Sequence, residues 1–460
     1  MRRKAFASLL VAASISLGVS AVSAEPLQAQ NVHSNHAFDN KIIKRISADK
    51  IYHHIATLSE QPRVAGTESE WKAVQYIKNE FESYGYHTEL QPFTFMSYEE
   101  PTNVSLTVNG NRIETDPFTY TPNGNVTGEL VFVGLGSVED VQGKDLSGKI
   151  ALIKRGSFSF AEKVLNAANA GAEAVIIFNH IDGELHGTLG GANDDFVPVV
   201  SITKQEGEAL VSQLSSGQAF TASVTVEGAN VSAKTSHNVI ATKKATHKKK
   251  DTNQMVIVGA HHDSVDGAPG ANDDASGTAA TLELARVMAN MPTDTELRFV
   301  TFGAEELGLI GSYEYVDSLT EDEINRTVGM FQMDMVGSRD AGDLVMFTVD
   351  GEKNIVTDLA ASAGVRTGTP LTYGQEGRSD HVPFYYAGIP AALFIHSPVE
   401  PWYHSPEDTL DKISKEKLQE TAEIVGASVY QIARPDTPAL ERANVAPKEV
   451  EYEKYSGGLQ

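Results

Sequence analysis

The chain has no cysteine at all. That excludes disulfides, thiol catalysis, cysteine-held zinc, iron–sulfur clusters and a lipid-modified cysteine. Any metal must therefore be held by His, Asp, Glu or water. Positive charge is also scarce: 37 Lys and Arg stand against 61 Asp and Glu, a formal net charge of −24. A surface of that sign repels nucleic acid and anionic lipid, so neither is expected as a partner. No stretch after the amino-terminus approaches the ~20 apolar residues of a membrane span. The remaining composition, 41% hydrophobic and 21% charged over 460 residues, is that of a globular protein with a large core. At about 100–200 residues per domain, it has room for two to four structural units.

The chain begins with an address. Arg2-Arg3-Lys4 precede an apolar run, Ala5 to Val19, and Val22-Ser23-Ala24 offers a cleavage tripeptide. That order is a secretory signal peptide, placed at residues 1–24, and it implies a secreted protein with no membrane span in the mature chain. Residues 25–44 are polar without strong periodicity, as in a linker or pro-segment. Two helices follow. The second begins at a capping box, Thr67 with Glu70, carries the stripe Trp71, Val74, Ile77, Phe81 and Tyr84, and ends at Gly85. His87–Phe95 reads as a strand.

Residues 111–233 change character. Short apolar runs at Leu130–Val133, Ile150–Ile153, Val175–Phe178 and Val199–Ile202 surround a helix at Phe160–Ala170, which suggests a β-rich module inserted between residues 45–110 and 234–436. The lysine-rich stretch 243–250 is expected to be a solvated loop. Beyond it, Met255–Val258, Leu297–Phe302 and Val328–Met333 lack polar alternation, as strands buried on both faces do. Helices are expected at Thr278–Ala289, after Gly351 and at Lys415–Arg434. The fold class is α/β: a mixed, mostly parallel sheet covered by helices. Residues 437–460 read as a loosely ordered polar tail.

Each of the buried strands is followed by a loop rich in His, Asp or Glu. The first leads into Ala260-His261-His262-Asp263-Ser264 and then Gly270-Ala271-Asn272-Asp273-Asp274-Ala275-Ser276-Gly277. The second leads into Gly303-Ala304-Glu305-Glu306, and the third into Asp334-Met335-Val336-Gly337. Tyr403-His404-Ser405-Pro406-Glu407-Asp408 comes later. Ligand sites of open α/β sheets lie outside the carboxyl ends of strands, and these ends gather enough carboxylate and imidazole for two divalent cations. Without metal such crowded carboxylates repel one another; zinc suits this donor set. Singly, each residue has a plainer reading, Asp263 as a turn cap and Asp273 or Asp274 as a helix cap. Jointly, after successive buried strands, they favour a metal site. An internal control is Gly191–Asp195, which repeats Gly270–Asp274 letter for letter but without the surrounding motifs, and is expected to be an Asx-type loop.

These motifs, with Phe302-Gly303-Ala304-Glu305-Glu306-Leu307-Gly308, Gly377-Arg378-Ser379-Asp380-His381 and Tyr403–Thr409, resemble the secreted co-catalytic two-zinc aminopeptidases. The inserted segment resembles a protease-associated domain. The resemblance implies a zinc-exopeptidase fold and two Zn2+ per chain. It implies His261 and Asp334 as ligands of one zinc, Glu306 and His404 of the other, and Asp273 as the bridge. It further implies Glu305 as general base, Asp263 as the carboxylate that orients His261, Tyr403 as an oxyanion donor and Arg378 near the substrate. The Asp273–Asp274 peptide is cis in that family. Gln332 stands where relatives often have Asn, and a packing difference is expected there. Phe394 and Ile395 are expected in the core rather than in a side-chain pocket. The implied activity is release of the first residue from peptides or proteins with a free amino-terminus, and the chain is expected to act as a monomer. Rival readings are a carboxypeptidase or glutaminyl cyclase on the same scaffold, or a non-catalytic binding protein; the last is disfavoured because every expected position is occupied.

Overall fold

The computed structural model describes residues 38–435, 450–455 and 457. The expected signal peptide, and residues 25–37 of the expected linker, lie outside these. The described chain opens with a short helix over 38–43, then α1 (Ala48–Leu58), α2 (Glu68–Ser83) and the long strand β1 (His87–Glu99). It next builds β2 (Asn103–Val108), β3 (Asn111–Ile113), β4 (Asp116–Pro117), β5 (Gly124–Phe132), β6 (Lys149–Lys154), α3 (Phe160–Asn169), β7 (Ala174–Phe178), β8 (Val199–Ile202), α4 (Lys204–Ser215) and β9 (Thr221–Glu227). It returns through β10 (Asn230–Lys243) to β11 (Met255–His261), α5 (Ala275–Ala289), β12 (Glu296–Phe302), α6 (Ile310–Asp317) and β13 (Thr327–Met333). β14 (Asp343–Thr348), α7 (Ile355–Thr367), β15 (Thr372–Gln375), β16 (Ala391–Ser397) and α8 (Lys415–Ala433) complete it.

These strands form two eight-stranded sheets among the described residues, ordered β1-β10-β12-β11-β13-β16-β14-β15 and β3-β2-β9-β5-β6-β7-β8-β4. In the first, β12, β11, β13 and β16 are mutually parallel and central. Side chains alternate across a strand, so each of these strands feeds two cores. Val256, Val258, Phe299, Phe331 and Phe394 join α1, α2, α5, α7 and α8 on one face. Met255, Ile257, Phe302 and Met330 join Tyr315 and Phe384 on the other. Burial on both faces is why these strands read as unbroken apolar runs.

The second sheet hangs on a pair of long strands. β1 and β10 pair antiparallel along their length, from His87 with Thr242 to Glu99 with Asn230. The chain thus leaves and re-enters the first sheet at adjacent points. β2 already belongs to the second sheet, so the insertion begins before the expected residue 111; Asn103–Val108 alternates in polarity like the strand ahead of it, which hid the boundary.

Local details depart from the sequence reading in places. Thr67 caps α2, accepting from the Glu70 N–H at 3.3 Å, but Glu70 turns its carboxylate to the Gly66 N–H at 2.6 Å. Val74, Ile77 and Phe81 are buried, whereas Trp71 stays 40% exposed and lies against His237. The expected linker is structured from residue 38: Ile42 is buried and Asp39 forms a buried ion pair with Arg366 at 2.6 Å. In the repeated string at 191–195, Asn193 Oδ1 accepts from the Asp195 N–H at 2.9 Å, an Asx turn. Part of the expected loose tail is also ordered. Residues 450–455 run beside β15, joined to Tyr373 by backbone hydrogen bonds.

Candidate metal centre

The parallel strands deliver their acidic and imidazole side chains to one place. His261 is the last residue of β11, Glu305 and Glu306 follow β12, Asp334 follows β13, and His404 lies in the loop after β16. His261 Nε2 lies 3.1 Å from Asp273 Oδ1 and 3.5 Å from Asp334 Oδ1. His404 Nε2 lies 3.2 Å from Asp273 Oδ2 and 3.0 Å from Glu306 Oε2. Asp273 therefore turns one carboxylate oxygen to each imidazole. Two three-residue groups share it, His261–Asp273–Asp334 and Asp273–Glu306–His404, with the donor atoms of each within 4.8 Å of one another. Buried Asp334 Oδ1 and Glu306 Oε1 have no protein hydrogen-bond partner. Burying such acceptors unpaired is costly, and orphaned oxygens beside imidazole nitrogens suit a divalent cation.

The surrounding network fixes these groups. The Asp273–Asp274 peptide is cis. Asp274 caps α5, accepting from the Gly277 N–H at 2.8 Å, and it also accepts from the His261 N–H at 3.2 Å and the Met335 N–H at 3.1 Å. One carboxylate thus ties together three loops. Gly277 must be glycine here, since a Cβ would stand 2.1 Å from the Met333 carbonyl. Asp263 accepts from the backbone N–H groups of Glu305 at 3.1 Å and Glu306 at 3.3 Å, and its Oδ1 lies 3.6 Å from His261 Nδ1. Ala304, Met335 and His404 all have left-handed backbones, with φ of 54°, 57° and 55°, a conformation that concentrates at functional turns.

Electrostatics follow from this crowding. Burial would lower the His261 pKa, but Glu305, Asp334, Asp263 and Asp273 together raise it well above the ordinary value. His404 is likewise opposed by burial and raised to about 10 by Asp273 and Glu306. Burial and then neighbouring Asp273 push Glu306 up to about 7. Glu305 is raised well above the usual carboxylate range, chiefly by burial and by nearby carboxylates. Asp273 is lowered: burial opposes its charge, but hydrogen bonds from His261 and His404 prevail.

Glu305 Oε2 stands 4.0 Å from His261 Nε2, facing the same cavity, which has about 570 Å³ of empty space. Tyr403 lines this cavity too, its ring stacked 3.8 Å from that of His404. Arg378 sits at the mouth and forms a two-pronged ion pair with Glu376, at 2.9 and 3.1 Å. Met335, Leu393, Ile395 and Val399 supply an apolar wall. Ile395 is thus wall as well as core, while Phe394 is fully buried and stacked on Phe331. Gln332 stays buried, donating to Asp380 Oδ2 at 3.0 Å.

Other supports went unseen in the sequence. Asp408 accepts from the backbone N–H groups of Asn272 at 2.8 Å and Asp273 at 3.0 Å. Glu400 accepts from Asn272 Nδ2 at 2.7 Å, and Ser379 donates to Asp334 Oδ2 at 2.8 Å. Arg63, 1% exposed, donates to the carbonyls of Leu58, His262, Pro269 and Gly270. It places a fixed positive charge beneath the acidic site. His262 points away, towards Thr301 at 3.1 Å.

Comparison with known proteins places this arrangement. The pattern of peptidase family M28 matches residues 238–429, and that of the PA domain residues 126–210. Aminopeptidase YwaD of Bacillus subtilis (strain 168) is 40% identical over 401 residues, covering 85% of this chain and 86% of the relative. The chain belongs to peptidase family M28. Two solved structures extend the M28 likeness to the fold. An aminopeptidase from Aneurinibacillus sp. strain AM-1 is 60% identical with a TM-score of 0.81, covering 91% of this chain and 100% of that one. BSAP, a zinc aminopeptidase from Bacillus subtilis, is 38% identical with a TM-score of 0.66, covering 86% and 97%. The M28 match falls on the metal-bearing sheet and the PA match within the inserted one, the mixed α/β architecture expected from the sequence.

Proposed function

We propose that the chain is an exported, two-zinc aminopeptidase that removes the first residue of peptides with a free amino-terminus. The observation that carries this is Asp273, whose two oxygens face His261 and His404 at 3.1 and 3.2 Å. In this reading His261 and Asp334 would hold one ion and Glu306 and His404 the other, with Asp273 shared between them. Zinc held there would supply Lewis acidity, polarising a peptide carbonyl and lowering the pKa of a water towards about 7. The names of the relatives, aminopeptidases and in one case a zinc aminopeptidase, support the assignment. Export rests on the charged, apolar and small-residue order of residues 1–24. Among the described residues, no helix is long and apolar enough to cross a membrane.

The chain's own groups have distinct work. Glu305, outside the two ligand groups that share Asp273, takes the proton of the attacking water and passes it to the leaving amine. Zinc bound beside it would favour its charged form, which is the form that accepts a proton. Asp263 fixes the Glu305–Glu306 backbone and faces His261 Nδ1, holding base and ligand in register. Burial, then Asp273, raises the Tyr403 phenol pKa. Tyr403 therefore stays protonated and donates to the carbonyl oxygen as negative charge develops. The apolar wall of Met335, Leu393, Ile395 and Val399 receives an apolar first side chain.

The same cavity disfavours a carboxypeptidase. Apart from His261, Arg378 is the cationic side chain in its lining, and Glu376 already neutralises it. With two Zn2+ bound, the five carboxylates of the lining would balance the ions and Arg378, so no net positive charge would be left over to hold a substrate carboxylate. Arg378, in the cavity lining, is instead placed near the substrate.

The deciding experiment offers one peptide with its amine free or acetylated, with zinc and after chelation. Cleavage is expected only with a free amine and bound zinc. Cleavage indifferent to acetylation moves the reaction to another bond. Glu305→Gln is expected to lose about 10²–10⁴ in kcat while keeping its zinc; retained turnover refutes the base. Asp273→Ala is expected to lose zinc, and unchanged stoichiometry by atomic absorption refutes the bridge.

A further inference from the structure

β15 is the edge strand of the metal-bearing sheet, and its open side is covered by residues 450–455. Tyr373 N–H donates to Glu453 O at 3.1 Å, and Tyr455 N–H donates to Tyr373 O at 2.6 Å. Two tyrosines anchor the segment, one on each face of the sheet. Tyr452 meets Tyr373 edge-on at 5.3 Å and donates to Asp358 Oδ1 of α7 at 2.7 Å. Tyr455 goes to the opposite face. It joins the cluster of Met335, Val345, Phe347, Leu393 and Ile395, with its ring edge-on to Phe347 at 5.9 Å. Ser397 Oγ donates to its phenol oxygen at 3.3 Å.

Met335, Leu393 and Ile395 of that cluster also line the metal cavity. Ser397 stands two residues before Val399, the fourth member of the apolar wall. The wall therefore has the cavity on one side and the Tyr455 cluster on another. We propose that the carboxyl-terminal segment is the outer backing of the substrate pocket, and that Tyr455 is a positioning residue that sets which first side chains fit. The inference rests on reading the cavity as the pocket for the first residue. Its physical basis is close packing: a cluster that loses an aromatic ring relaxes into the space left behind. Leu393 and Ile395 then lose their fixed positions, and the pocket loses its shape.

The test uses leucine, phenylalanine and alanine p-nitroanilides with the full-length chain. Tyr455→Ala is expected to lower the leucine-to-phenylalanine ratio of kcat/KM by about five- to tenfold, mostly through KM. Zinc content and alanine turnover are expected to stay within about twofold of wild type. Tyr455→Phe keeps the ring and is expected to keep the preference. Should Tyr455→Ala fail to fold, Tyr455→Leu keeps an apolar group of smaller volume and is read by the same ratio. An unchanged ratio in a folded, zinc-loaded variant overturns this proposal alone. A wild-type chain that releases no amino acid from any of the three overturns the aminopeptidase reading, and this proposal with it.

Discussion

Asp408 commits both carboxylate oxygens to backbone N–H groups, those of Asn272 and Asp273. It thereby sets the position of the carboxylate that faces both imidazoles without reaching them itself. Asp408→Asn replaces one acceptor oxygen with a donor pointed at a donor, so one of the two hydrogen bonds must break. Zinc affinity is expected to fall about 10–100-fold with the fold retained, measured by competition with a chromogenic chelator. Unchanged affinity removes Asp408 from the support of the site. At this scale the sequence was informative where a residue type announces its chemistry. His261, Asp273, Glu306, Asp334 and His404 each stood in a loop of recognisable composition, and the structure gathers them. Arg63 was illegible for a physical reason: its partners are four main-chain carbonyls, and every residue type carries a carbonyl.

Among the elements, β16 carries a pH liability. His396 is buried within it, with Nδ1–H donating to the Gly342 carbonyl at 3.1 Å. Burial, then the nearby Lys417 charge, lowers its pKa from 6.5 to about 3. The folded chain keeps this imidazole neutral while the unfolded chain takes up a proton below about pH 6.5. Stability from this residue is thus complete above that pH and declines as the pH falls towards about 3, by up to about 1.4 kcal/mol per pH unit. His396→Gln keeps a donor and removes the titration. Its melting temperature is expected to fall less steeply than that of wild type between about pH 6 and 4; equal slopes exclude the effect. Legibility of the elements tracked burial. β11, β12 and β13, covered on both faces, were plain as apolar runs. β15 was not, since of Thr372, Tyr373, Gly374 and Gln375 only Gly374 is buried. The segment that completes its edge begins at residue 450, too far along the chain for any local pattern to connect them.

In the whole molecule, the pairing of Glu99 with Asn230 brings the two ends of the insertion side by side. Antiparallel partners stand about 5 Å apart, a gap that a two-residue turn closes. Replacing residues 100–229 with Asn-Gly is expected to give a folded chain that binds zinc and cleaves short substrates with kcat/KM within about tenfold of the parent, ~1.4 kcal/mol in barrier. Loss of zinc or of all turnover shows instead that the second sheet is needed to form the site. The insertion was visible as a change in composition, but its crossing points were not, because β1 and β10 are continuous strands that run on towards it.

That twin-strand connection also has a consequence in time. The second sheet is built from one contiguous stretch and can complete itself soon after it is synthesised. The helices made before it cannot do the same. The backbone at Ser47 and Ala48 waits for Glu283 and Gln419, its partners at 2.7 and 2.9 Å. Such distant closures come late in folding. His404 and Asp408 also arrive only near the end of translation. The metal centre is therefore among the last parts of the molecule to assemble.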